Sequence, residues 1–158
     1  MIPRYSTKEM SEIWSTKNKY KLWLKIELLA CEIHEKLGII PKNKSEAIKK
    51  LATFDEKRIL EIEKETKHDV IAFLTNVAEY VGDNSKFIHK GLTSSDILDT
   101  CFSIQLKDAT NLLIKELEEV LVILKNKAKK YKYLLCIGRS HGIHAEPITM
   151  GLKFTYAY

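Results

Sequence analysis

SSDILDTCFSIQLKDATNLLIKELEEVLVILKNKAKKY, Ser94 to Tyr131, runs without a glycine or proline. Ile97, Cys101, Ile104, Leu113, Leu117, Val120, Leu121, Leu124 and Ala128 return to one side of it at helical spacing. The stretch therefore reads as one long helix, on the order of 50 Å at about 1.5 Å per residue. A single-domain core is too small to cover such a stripe, so the helix requires other long helices beside it. The chain supplies few of them. After Pro147 a further helix is expected, and Leu152, Phe154 and Tyr156 are still arriving at Tyr158 with no stop signal, so the chain reads as a piece of a longer protein.

The segments before Ser94 are also helical in pattern. Ser6 with Glu9 has the form of a capping box, and Trp23, Ile26, Ala30, Ile33 and Leu37 form an apolar stripe, taken as core, that ends at Gly38 and Pro41. Residues 45–51 read as a short helix. Asp55 is placed to cap a charged helix reaching about Lys67, and Val70, Phe73, Leu74, Val77 and Val81 continue an apolar face until Gly82. No strand pattern competes, apart from short stretches near Phe87 and 134–137 that could be extended. The fold class expected is all-α: a small N-terminal helical domain, residues 1–92, followed by the beginning of a long-helix bundle, residues 93–158.

Composition narrows the functional classes. The 158 residues carry 26 basic and 21 acidic side chains and are 45% hydrophobic, an ordinary balance for a globular chain. No apolar run approaches the length of a membrane span, and the N-terminus has neither a signal core nor transit character, so a cytoplasmic, non-membrane protein is expected. Cys31, Cys101 and Cys136 are odd in number and unlike a metal site in spacing, which fits reduced thiols. Nucleic acid is an unsuitable partner, because the basic residues of 125–132 lack interleaved aromatics or a recognisable module. A multiply anionic small molecule suits the net charge of +5 better.

The chemistry concentrates in GRSHGIHAEPIT, Gly138 to Thr149. Glycines permit unusual backbone angles, Ser140 offers a hydroxyl, imidazoles such as His141 exchange protons near neutrality, and Pro147 suits a helix start. By itself the segment could equally be a hydrogen-bonded cap. It resembles, however, the histidine region of the fumarase/aspartase superfamily, and within it the adenylosuccinate lyase family. PRYS at Pro3 to Ser6, KHDV at Lys67 to Val70 and HKGLTSSD at His89 to Asp96 agree with that family in order and spacing.

The resemblance implies a bundle fold of the fumarase/aspartase type and β-elimination of fumarate, from adenylosuccinate to give AMP and from SAICAR to give AICAR. Such a reaction needs a base, donors for a dianionic carbanion and an acid for the departing nitrogen. His141 matches the family's general acid, and His68 takes a supporting catalytic or binding role. Asp69 and Lys67 join His68 at the substrate. Thr93 and Ser94 open the long helix, where free N–H groups favour an anion, and are implied to hold the succinyl carboxylate with His89 and Ser140 nearby. Arg4 and Tyr5 match a phosphate-binding pair, which argues for a phosphorylated purine nucleotide as the small-molecule substrate. No metal or organic cofactor is implied, and the expected assembly is a homotetramer.

Two departures stand out. Ser140 replaces the usual threonine and keeps its hydroxyl. The signature SSxMPxKxNP, which carries the family's serine base, is absent from these 158 residues, so the isolated segment is expected to be inactive. The alternatives are a non-catalytic helical interaction module of the same descent, or another fumarate-releasing lyase such as argininosuccinate lyase.

Overall fold

The structure, a computed structural model, describes residues 2–158. It is helical nearly throughout, as the sequence pattern demands. The elements are α1 (Lys8–Ile13), α2 (Thr16–Lys36), α3 (Lys44–Leu51), α4 (Glu56–Thr66), α5 (Asp69–Val81), α6 (Ser94–Lys130), β1 (Leu135–Ser140), β2 (Ile143–Thr149) and α7 (Met150–Ala157), with 3-10 turns at Pro3–Tyr5 and Gly82–Phe87. The chain divides into two compact units, one reaching to Ala109 and the other covering Thr110–Tyr158.

The first unit has an aromatic core. Phe73 of α5 stacks on Tyr20 at 5.7 Å between centroids and meets Trp23 edge-on at 5.4 Å. Each such pair is worth about 0.5–1.5 kcal/mol beyond the area it buries. Ile48, Ile59, Val70, Val77 and Ile97 complete the core from α3 to α6. Gln105 of α6 donates to the Ile13 carbonyl at 2.8 Å, closing the end of α1. Between α4 and α5 a polar network does the same work: buried Asn76 accepts from the Asp55 N–H at 2.8 Å and donates to Glu79, which Arg58 grips with two nitrogens. That network holds Asp55 where its carboxylate caps α4 through the Lys57 and Arg58 N–H groups.

The end of α2 caps the start of α3. Asn43 stands at φ +65 with no side-chain cap of its own. Instead the Glu35 carboxylate accepts the Asn43 N–H at 3.0 Å and the Ser45 N–H at 2.7 Å, and these bonds hold its carboxyl below the usual glutamate range.

In the second unit, β1 and β2 pair antiparallel from Leu135↔Thr149 to Ser140↔Ile143, with a register shift at Gly138. A Cβ on Gly138 would lie 2.9 Å from the Glu146 carbonyl, so glycine permits the close approach at the bulge. Thr149 caps α7 by accepting the Leu152 N–H, and Gly151 lies so close to the Ala128 carbonyl and the Lys132 backbone that a Cβ would come within 2.6 Å of each.

Four local expectations are corrected. Residues 135–149 form a hairpin, not a loop leading into a helix, and Pro147 lies inside β2, opposite Ile137, where an edge position tolerates its missing N–H. The following helix starts at Met150. Thr7, not Ser6, caps α1, accepting the Met10 N–H at 3.3 Å. On α2 the buried line is Tyr20, Trp23, Glu27 and Cys31, while Ile33 and Leu37 are 50% and 69% exposed. The stripe is rotated because a buried carboxylate occupies a place that an apolar residue would ordinarily take.

Candidate functional site

His141 and Gly142 are the two residues that join β1 to β2, with φ +51 and +79. Positive φ at both central positions is the mark of a type I′ turn, the connection whose twist matches the flanking strands. Asparagine-glycine is the usual pair there, and histidine is among the few other side chains that visit this region readily. The turn thus fixes the backbone of His141 and presents its ring, with Ser140 and Arg139 alongside, on an exposed hairpin tip. Arg139 reaches back to the Gly142 carbonyl at 3.4 Å. His144 pairs with Arg139 across the strands.

In the first unit, the α4–α5 connection brings three candidate residues together. Lys67 ends α4 at φ +52, its N–H bonded to the Glu63 carbonyl at 2.9 Å. His68 is the N-cap of α5: its Nδ1 accepts the Ile71 N–H at 3.4 Å, and Nε2 lies 3.4 Å from the Ser94 hydroxyl. An Nδ1 that accepts leaves the proton on Nε2, so His68 donates to Ser94. The 3.6 Å approach of Asp69 to the same Nδ1 is too long for a hydrogen bond, and the Asp69 carboxylate instead accepts the Val70 N–H at 2.7 Å. Thr93 and Ser94 stand at the start of α6, where Asp96 accepts the Thr93 N–H at 2.8 Å. The His68–Ser94 contact is what joins the two sequence segments, 26 positions apart, into one place.

His89 is held differently. Its backbone is left-handed, φ +60, and Glu27 of α2 accepts from it twice: the N–H at 2.9 Å and ring Nδ1 at 2.6 Å. Glu27 is 1% exposed, and burial pushes its carboxyl above the usual range, against the pull of His89 and, more weakly, His34. His89 also borders a cavity of about 290 Å³ with Thr75, Ser85 and Lys86. Sequence reasoning missed Glu27. The signal was a carboxylate in register with Tyr20, Trp23 and Cys31 on one helix face, since a charge in such a row must have a buried partner.

The remaining expected residues, Arg4 and Tyr5, lie in the Pro3–Tyr5 turn, where the guanidinium sits 4.9 Å from the Tyr5 ring centroid and donates to its hydroxyl at 3.1 Å. Among the described residues, three of the four non-glycine residues with positive φ, Lys67, His89 and His141, are candidates. Backbone strain of this kind gathers at functional positions. Among the described residues no group of three or more His, Cys, Asp or Glu is arranged to hold a metal ion. No helix among the described residues is long and apolar enough to cross a membrane.

Comparison with known proteins matches this arrangement to a consistent set. The chain is 51% identical over 153 residues to an adenylosuccinate lyase of Bacillus subtilis (strain 168) and 50% identical over 153 residues to one of Synechocystis sp.. In each case 97% of the chain is aligned, and the chain spans 36% of the relative's length. A solved fumarate lyase from Mesorhizobium sp. BNC1 superposes on 96% of the chain and 36% of its own with a TM-score of 0.89; at 23% identity it attests the fold alone. A family model described as Lyase aligns with residues 4–158, from the Arg4–Tyr5 pair through the His141 hairpin to the end of α7, and by that match the chain belongs to the lyase family.

Proposed function

We propose that this chain forms the substrate-anchoring and acid-bearing part of an enzyme that eliminates fumarate from adenylosuccinate to give AMP, and from SAICAR to give AICAR. The observation that carries the reading is the half-identity, along nearly the whole chain, with adenylosuccinate lyases of two distant bacteria. In this mechanism a base from outside these 158 residues takes a proton from the methylene of the succinyl arm. The electron pair passes through a carboxylate-stabilised carbanion and expels the purine nitrogen as the C–N bond breaks. His141, as imidazolium, gives that nitrogen its proton, and its place on a two-residue turn supports the role because the ring is exposed while its backbone is fixed.

The other residues hold the substrate. Arg4 and Tyr5 take the phosphate and Thr93 and Ser94 the succinyl carboxylate at the start of α6, with His68, Asp69, Lys67, His89 and Ser140 as further contacts. The contact of His68 with the Ser94 hydroxyl favours a supporting catalytic or binding role for it. The whole protein is proposed to be a homotetramer working in the cytoplasm. The exposed Leu113, Leu117, Val120 and Leu121 on α6 support a bundle with other subunits.

Fumarate release by the whole protein is the test, with adenylosuccinate, SAICAR and argininosuccinate offered separately. The proposal requires turnover of the first two and none of the third. Turnover of argininosuccinate would transfer the chain to another activity, and release from none would favour a non-catalytic module.

A further inference from the structure

We infer that Glu27 is a positioning residue that acts through His89, fixing both its left-handed backbone and its ring so that Nε2 meets an anionic group of the substrate. The inference rests on the reading of His89 as a substrate contact, and it starts from the geometry of a single carboxylate. Both Glu27 oxygens are committed to one residue, Oε1 to the imidazole Nδ1 at 2.6 Å and Oε2 to the backbone N–H at 2.9 Å. Glu27 is 1% and His89 20% exposed, so one edge of the ring is sealed against the core and the other is open.

Stability alone does not account for this pair. A buried ion pair replaced by well-packed apolar residues is often as stable or more so, whereas a buried carboxylate stripped of its partner is strongly unfavourable. The place on α2 between Trp23 and Cys31 would suit leucine. What glutamate does there and leucine cannot is grip a residue at φ +60, a conformation uncommon for a non-glycine residue. It also sets the ring's protonation pattern. A carboxylate facing Nδ1 requires a proton on that nitrogen, so an anionic ligand is met by the doubly protonated ring, in which Nε2–H is the donor. The same segment continues within five residues to Ser94, so fixing His89 also anchors the approach to the start of α6.

Glu27→Gln keeps the shape and an acceptor for the backbone N–H but turns an amide donor toward Nδ1, which must then accept, so the ring can no longer hold protons on both nitrogens and meets the anion uncharged. In the whole protein it is expected to weaken AMP binding and raise KM for adenylosuccinate by about tenfold to a hundredfold, the usual effect of removing an orienting partner, with a smaller change in kcat. In a His89→Asn background the same substitution is expected to add nothing, because Glu27 has no other route to the ligand. Solid-state 15N NMR of the histidine-labelled parent, with the His89 signals identified by their loss in His89→Asn, is expected to show Nδ1 protonated. Additive effects in the double variant, AMP binding indifferent to both substitutions, or an unprotonated Nδ1 in the parent would each overturn the inference. If Glu27→Gln fails to fold, the parent spectrum still decides. A parent that binds AMP with this coupling yet releases no fumarate would leave the Glu27–His89 pair standing and remove the lyase reading.

Discussion

Under the proposed function, Lys67 trades stability for substrate binding. It ends α4 at φ +52, a position that glycine fills at most helix ends, and the neighbouring His68 and Asp69 begin α5. Lys67→Gly is therefore expected to stabilise the fold by about 1 kcal/mol while weakening nucleotide binding. Urea unfolding and AMP titration on the same samples check both halves; a variant that loses stability would show that the lysine side chain holds the connection. Nothing local in EIEKETKHD announces this left-handed lysine. His141 was partly legible, because Gly138 and Gly142 mark the stretch as one of unusual backbone angles. The competing signal was Pro147, whose preference for a helix start pointed to the wrong element. Glu27 was legible only as an anomaly, since the residue that satisfies it lies 62 positions away.

Elements whose ends are decided locally were readable. Asp55 capping α4, Gly82 closing α5 and the unbroken run of α6 all follow from residues within a turn or two of the boundary. The hairpin was not, because its strands are six and seven residues long, one contains a proline, and the register slips at Gly138. The start of α3 depends on a remote partner too, the Glu35 carboxylate of α2. Glu35 has its carboxyl lowered by the Ser45 and Asn43 N–H groups, so its contribution is present above the ordinary glutamate range, about 4.3, and is lost as pH falls through the lowered folded value. The urea midpoint of Glu35→Gln is thus expected to lie below that of the parent at neutral pH and to converge with it on acidification. A difference that widened toward low pH would contradict the remote cap.

At the scale of the whole molecule, the general plan was readable because a long uninterrupted helix admits few architectures. Leu117, 61% exposed, and Leu121, 38% exposed, lie on the part of α6 that belongs to the second unit. Exposure of this kind leads us to expect that Leu117→Lys with Leu121→Lys shifts the whole protein toward smaller species in sedimentation velocity; an unchanged distribution would place the subunit contacts elsewhere. Periodicity reports the faces of helices and not their assembly. The proposed role of His141, acid for the departing purine nitrogen, is tested by His141→Asn. Asparagine-glycine is the favoured type I′ pair, so the hairpin is retained while the proton donor is removed. Steady-state kinetics of the whole protein with adenylosuccinate are expected to show kcat lowered by about a hundredfold or more with KM nearly unchanged. A kcat within about tenfold of the parent would contradict the assignment.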